Sequence, residues 1–77
     1  MNTKDKIELE LFECSVKVVN LLITKYEKRY LDRSLFTEHT KTKIAYLENN
    51  LDRIADIELK NEAISAINKV QTLLKEQ

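Results

Sequence analysis

The densest apolar run of the chain lies between Leu11 and Ile23, where nine of thirteen residues are apolar. On a helix, the polar residues of this run fall mainly on one narrow stripe that contains Glu13, Lys17 and Asn20. The apolar residues then cover an arc of about 240°, whereas one packing face needs about 100°. The arc comprises Ile7, Leu11, Phe12, Cys14, Val16, Val18, Val19, Leu21, Leu22, Ile23, Tyr26 and Tyr30. This pattern predicts a first helix that one small neighbour cannot cover.

The first helix is predicted to begin at Thr3 or Lys4 and to end at about Arg29 or Leu31, with a length of about 40 Å. Acidic residues are concentrated near its start and basic residues near its end. This distribution is the one that the helix dipole favours.

The second helix is predicted to begin after Asp32, which is a good N-cap residue, although Ser34 and Thr37 are competing caps. Its apolar residues recur at intervals of three and four residues on a stripe about 100° wide, as expected for one buried face. The stripe comprises Phe36, Thr40, Ile44, Leu47, Leu51 and Ile54.

The apolar pattern changes phase by one residue between Ile54 and Leu59. Either a turn lies near Asp56 to Asn61, or one long helix of about 40 residues changes its buried face there. The first alternative predicts an all-α, three-helix antiparallel bundle that forms a single domain over residues 1–77. The second predicts a helical hairpin in which helices 2 and 3 are continuous. We favour three helices, because a 40-residue arm would extend about 20 Å beyond the first helix.

Glycine and proline are both absent, which disfavours hairpin-rich sheets and glycine-rich phosphate loops. A single cysteine excludes an internal disulfide, and Cys14 with the only histidine, His39, falls short of a four-ligand zinc site. We therefore predict no metal, no cofactor and no catalytic residue, and hence no enzyme. Cys14 lies in the apolar arc and is predicted to be a buried, inert thiol. Lys17 lies on the polar stripe and is predicted to be solvated.

The thirteen basic and thirteen acidic side chains cancel, so no global field favours nucleic acid or an anionic membrane. The first residues are rich in acids where a signal peptide would be apolar, and no apolar run approaches the ~20 residues of a membrane span. These features predict a soluble cytoplasmic protein without membrane contact. The abundance of Lys, Asn, Ile and Glu would suit an AT-rich bacterial or phage genome.

One face of the second helix has the composition of a binding surface, because it combines tyrosine, arginine and histidine. An ordinary solvated helix face is the alternative interpretation. The residues of this predicted partner-binding face are His39, Lys43, Tyr46, Asn50 and Arg53.

A basic segment over residues 25–43 contains lysines and arginines interleaved with tyrosines, a pattern that can bind phosphates and stack on bases. However, Tyr26 and Tyr30 extend the apolar arc and are better explained as core residues. Acidic residues also dilute the charge of this segment. Nucleic-acid binding by a dimer is therefore the second hypothesis on function.

The excess apolar surface of the first helix leads to the main hypothesis. Leaving about six large aliphatic side chains in water would forfeit on the order of 10 kcal/mol, which is comparable with the whole stability of a small domain. A second copy of the same helix would cover them, so we predict a homodimer; a helix of another protein is the alternative. The predicted interface comprises Leu11, Cys14, Val18, Leu21 and Leu22. The predicted function is a small protein-interaction module, such as a regulator, adaptor, inhibitor or immunity-type factor.

Overall fold

The computed structural model describes residues 3–76, which form three α-helices joined by short connections. Helix α1 spans Thr3–Glu27, α2 spans Arg33–Asn50 and α3 spans Ile57–Lys75, with a 3-10 turn at Leu51–Arg53. No strand occurs between residues 3 and 76. The prediction of an all-α, three-helix bundle is confirmed. Each helix in this range is too short or too polar to cross a lipid bilayer.

Contacts between the helices define their relative directions. The ring of Phe12, near the start of α1, lies 6.3 Å from the ring of Tyr46, near the end of α2. The Nζ of Lys69 in α3 lies 3.5 Å from a carboxylate oxygen of Glu27 at the end of α1. Helix α2 is therefore antiparallel to α1, and α3 returns parallel to α1.

The core lies along the axis of the bundle and receives residues from all three helices. Its only buried polar side chain within the described range is Thr40, whose hydroxyl donates to the carbonyl oxygen of Phe36 at 2.7 Å. This hydrogen bond removes the penalty of burying an unpaired hydroxyl. The buried apolar residues are Phe12, Val16, Val19, Ile23, Phe36, Leu47, Leu59, Ala63, Ala66, Ile67 and Val70.

Helix α1 ends at Glu27, earlier than the sequence pattern predicts, because the chain adopts a left-handed cap at Arg29. The φ angle of Arg29 is 67°, its N–H donates to the carbonyl of Tyr26, and the N–H of Tyr30 donates to the carbonyl of Lys25. These two bonds form a Schellman motif, in which glycine usually occupies the left-handed position. The absence of glycine concealed this helix end in the sequence.

The variant Arg29→Gly should raise the free energy of unfolding by about 0.5–1 kcal/mol, because glycine adopts a positive φ without the steric cost that an L-residue has. Arg29→Ala is the matched control, since it removes the same side chain but keeps the Cβ. Urea denaturation followed by circular dichroism measures both variants. Equal stability of the two variants would contradict the left-handed cap.

Two aspartates start the second and third helices: Asp32 is the predicted N-cap of α2, and Asp56 begins the segment in which the sequence predicts a turn. Asp32 and Asp56 each accept a hydrogen bond from the backbone N–H three residues later, at 2.8 Å and 3.1 Å. The break between α2 and α3 begins earlier than predicted, at the 3-10 turn Leu51–Arg53, and ends at the Asp56 cap. This break explains the change of phase in the apolar pattern.

Candidate functional site

Five residues of α1 form an exposed apolar row that we call the α1 stripe. They follow one another at intervals of four, three, four and three residues. Their exposed fractions are 50% for Ile7, 55% for Leu11, 38% for Val18 and 55% for Leu21, and Cys14 is also exposed. Alternating intervals of three and four residues keep side chains on one side of a helix. The α1 stripe is therefore a continuous apolar ridge along the outside of the bundle.

The residues of the α1 stripe and the core residues of α1 lie on different parts of its apolar arc. The core residues of this helix are Phe12, Val16, Val19 and Ile23. At about 100° per residue, the mean direction of these residues differs from that of the α1 stripe by about 150°. Helices α2 and α3 thus cover one half of the arc and leave the other half in solvent.

Two residues of the predicted dimer interface lie in an environment that differs from the one the sequence predicts. Cys14 was predicted to be buried, but it is exposed because α2 and α3 pack on the other side of α1. Leu22 is half-buried and packs against the core of its own bundle. Leu11, Val18 and Leu21 lie on the outer surface.

A groove of about 710 Å³ lies between the first turns of α1 and the connection from α2 to α3. Of the predicted partner-binding face, Tyr46, Asn50 and Arg53 line this groove, whereas His39 and Lys43 lie outside it. Its volume is within the range of small-molecule and peptide-anchor sites. The other lining residues, which the sequence pattern did not identify, are Asp5, Glu8, Leu9, Leu11, Phe12, Ile54, Ala55 and Asp56.

Internal contacts hold three of the side chains that line the groove, those of Tyr46, Asn50 and Asp56. Tyr46 is half-buried with its ring against Phe12, and the side-chain nitrogen of Asn50 donates to the carbonyl of Tyr46 at 2.8 Å. Asp56 at the rim caps α3 through its carboxylate. Among residues 3–76, no group of three histidine, cysteine or acidic side chains is placed to hold a metal ion. The groove has the character of a binding surface, with an apolar floor and a charged rim.

The fold places the residues of the basic segment 25–43 in different environments, some in internal contacts and others at the surface. Tyr26 stacks on Phe36, with ring centroids 4.2 Å apart and planes inclined by 6°, so it is part of the packing between α1 and α2. Arg33 donates hydrogen bonds to the carbonyls of Leu74 and Glu76 and thereby satisfies the end of α3. Both side chains have structural partners within the bundle.

Tyr30 was expected to be a core residue, but it lies beyond the end of α1 and is 71% exposed, and the Nζ of Lys25 lies 5.1 Å from its ring centroid. This distance is typical of a cation–π contact.

The fold presents two candidate binding surfaces, the α1 stripe and the groove, and they meet at Leu11. No family model, no curated protein sequence and no solved structure matches this chain.

Proposed function

We propose that the protein is a small, non-catalytic protein-interaction module that works as a homodimer through the α1 stripe. The observation that supports this proposal most strongly is the exposure of one complete half of the apolar arc of α1. Exposed apolar rows of this kind are uncommon on monomeric proteins and are typical of association surfaces. The row is as regular as the contact positions of a coiled coil, in which apolar residues alternate at intervals of three and four.

A second copy of the chain suits the α1 stripe because two identical ridges can interdigitate about a two-fold axis. The four aliphatic residues of the α1 stripe are 38–55% exposed and Cys14 is also exposed, so pairing two stripes would gain roughly 10 kcal/mol before the cost of association is subtracted. The cost of association is about 4–15 kcal/mol. Subtracting the low end of that cost leaves about 6 kcal/mol, so we expect a dissociable dimer with a Kd of tens of micromolar, formed by bundles whose cores are already complete.

The groove supplies a second surface that self-association leaves largely available. Its floor is apolar, and its rim carries the carboxylates of Asp5, Glu8 and Asp56 and the guanidinium of Arg53. An apolar floor with a charged rim is the usual arrangement of a protein-binding site. A regulator, adaptor, inhibitor or immunity-type factor would act by presenting this surface to its target.

Nucleic-acid binding by the basic segment is the alternative function. The structural roles of Tyr26 and Arg33 argue against it, because a stacked tyrosine and a helix-capping arginine have less freedom to contact bases and phosphates. Tyr30, Lys25, Lys28 and Arg29 remain exposed at the end of α1. A nucleic-acid interface would have to be centred on these four residues.

Sedimentation equilibrium at protein concentrations from about 1 to about 500 μM should show the mean mass rise from 9.1 kDa towards twice that value. The transition should depend little on added salt, since an apolar interface is not screened. Fluorescence anisotropy with labelled single- and double-stranded DNA and RNA tests the alternative, because such binding weakens steeply as salt increases. A mass of 9.1 kDa at all concentrations would overturn the homodimer.

A further inference from the structure

We infer that the two copies pair with their α1 helices antiparallel, about a two-fold axis that lies between Cys14 and Val18 of each copy. This inference rests on the proposed homodimer and specifies its orientation and register. The α1 stripe and the charged residues along α1 together support it. Neither observation alone would distinguish an antiparallel pair from a parallel one.

The intervals within the α1 stripe set the layers of contact. In an antiparallel pair centred on the stripe, Leu11 lies opposite Leu21 of the second copy, and Cys14 lies opposite Val18 of the second copy. The symmetry repeats each layer on the other side of the axis. The next layer outward places Ile7 opposite Lys25 of the second copy. All five stripe residues are then covered over a length of about 21 Å.

In this direction Lys25 of one copy meets the glutamates near the start of α1 of the other, whereas Lys4 and Lys28 of the two copies face each other beyond that layer. Glu8 and Glu10 flank the stripe near the start of α1, and Lys25 continues its line near the end. In the antiparallel pair, Lys25 of one copy lies within about 5 Å of Glu8 and Glu10 of the other along the helix axis. The aliphatic part of the lysine can cover Ile7 while its ammonium group reaches a carboxylate. The two-fold axis produces this arrangement at both ends of the interface.

A parallel, in-register pair would place like charges together. Lys25 would lie opposite Lys25 of the second copy, and the glutamates at the start of both helices would share one end of the interface. Opposed like charges cost stability and therefore determine partner orientation in helical pairs. The sequence thus favours the antiparallel pair through the acidic and basic halves of the same helix.

Lys17 is the charged residue nearest the two-fold axis, where it would approach Lys17 of the second copy. Its Nζ lies 3.1 Å from a carboxylate oxygen of Glu13, one turn earlier on α1. Because Glu13 lies on the polar side of the helix, this ion pair holds the ammonium group away from the stripe. The repulsion between the two copies is reduced accordingly.

Disulfide trapping tests the register, because Cys14 is the only cysteine of the chain. The variant V18C places a second thiol opposite Cys14 of the other copy, so mild oxidation should convert most of the dimer to a covalent form. In the wild type, the two Cys14 residues are offset by about 6 Å along the axis as well as by the helix separation, beyond disulfide range. The same offset applies to the C14S/V18C control, which keeps only the thiol at position 18. Both single-thiol proteins should cross-link at least about tenfold more slowly than V18C.

Sizing before oxidation separates the possible failures of this inference. Rapid cross-linking of both single-thiol proteins at dimeric size would indicate a parallel pair and would overturn the antiparallel orientation alone. Rapid cross-linking of only one of them would indicate another antiparallel register and would overturn the axis position. Monomeric size for all three proteins would overturn the homodimer itself, and the inference with it.

Discussion

The variant Phe36→Ala should lower the free energy of unfolding by about 3–5 kcal/mol, which is enough to unfold much of a domain this small. Phe36 is fully buried, and its ring stacks on Tyr26 at 4.2 Å, so it joins α2 to α1. Truncation removes this contact and leaves a cavity between α1 and α2. The cavity can close only if α2 shifts towards α1. The loss should appear as a lower urea midpoint in circular dichroism.

The neighbouring variant Leu35→Ala is a matched control, because it removes an aliphatic side chain from the same turn of α2. Leu35 is 43% exposed, so its replacement should cost no more than about 1 kcal/mol. The two variants are compared at one protein concentration, since the proposed self-association would contribute to apparent stability. Equal losses would show that α2 packs with a different face from the one described.

The sequence predicts the local starts of the helices well, because these depend on a few neighbouring atoms. Asp32 and Asp56 cap α2 and α3, and the change of apolar phase after Ile54 reflects a real break between helices. Each signal combines a residue type with its immediate spacing. These signals leave a three-helix bundle or a helical hairpin, and the length of the first helix favours the bundle.

The end of α1 could not be located from composition, because the signal that normally marks a left-handed cap is glycine. Arg29 adopts that conformation here, and the neighbouring Tyr30 packs beside Lys25. A pattern that depends on apolar periodicity extends the helix through both positions. The actual end depends on backbone hydrogen bonds, which residue types alone do not specify.

The sequence also shows that α1 has too much apolar surface, but not which half the bundle covers. Cys14 illustrates this limit, since it lies among apolar residues in the arc yet is exposed in the fold. The choice depends on where α2 and α3 dock, which is a tertiary property. Once docking is known, the α1 stripe becomes visible as the uncovered half, whereas Leu22 is assigned to the bundle's own packing.

The same distinction separates the folding of α1 from the association that we propose for it, which the apolar pattern alone treats as one property. From the apolar arc, a charge at position 18 or position 22 should both dissociate and unfold the protein. In the structure, Leu22 packs against the core while Val18 is 38% exposed. Association and folding should therefore respond to different substitutions on the same helix.

The variant Val18→Glu should raise the Kd of the dimer at least about 100-fold while the monomer keeps its helical fold. The reason is that two carboxylates would enter the apolar interface near its two-fold axis, while Lys17, the nearest cation, is engaged by Glu13 on the polar side of α1. Sedimentation equilibrium measures the dissociation, and circular dichroism with thermal unfolding measures the fold. Asn20→Glu is the matched control, since it adds the same charge on the polar side of the same helix turn and should leave association nearly unchanged. A monomeric but unfolded Val18→Glu protein would show that the bundle needs its partner to fold, and a dimer of normal affinity would place the interface away from the α1 stripe.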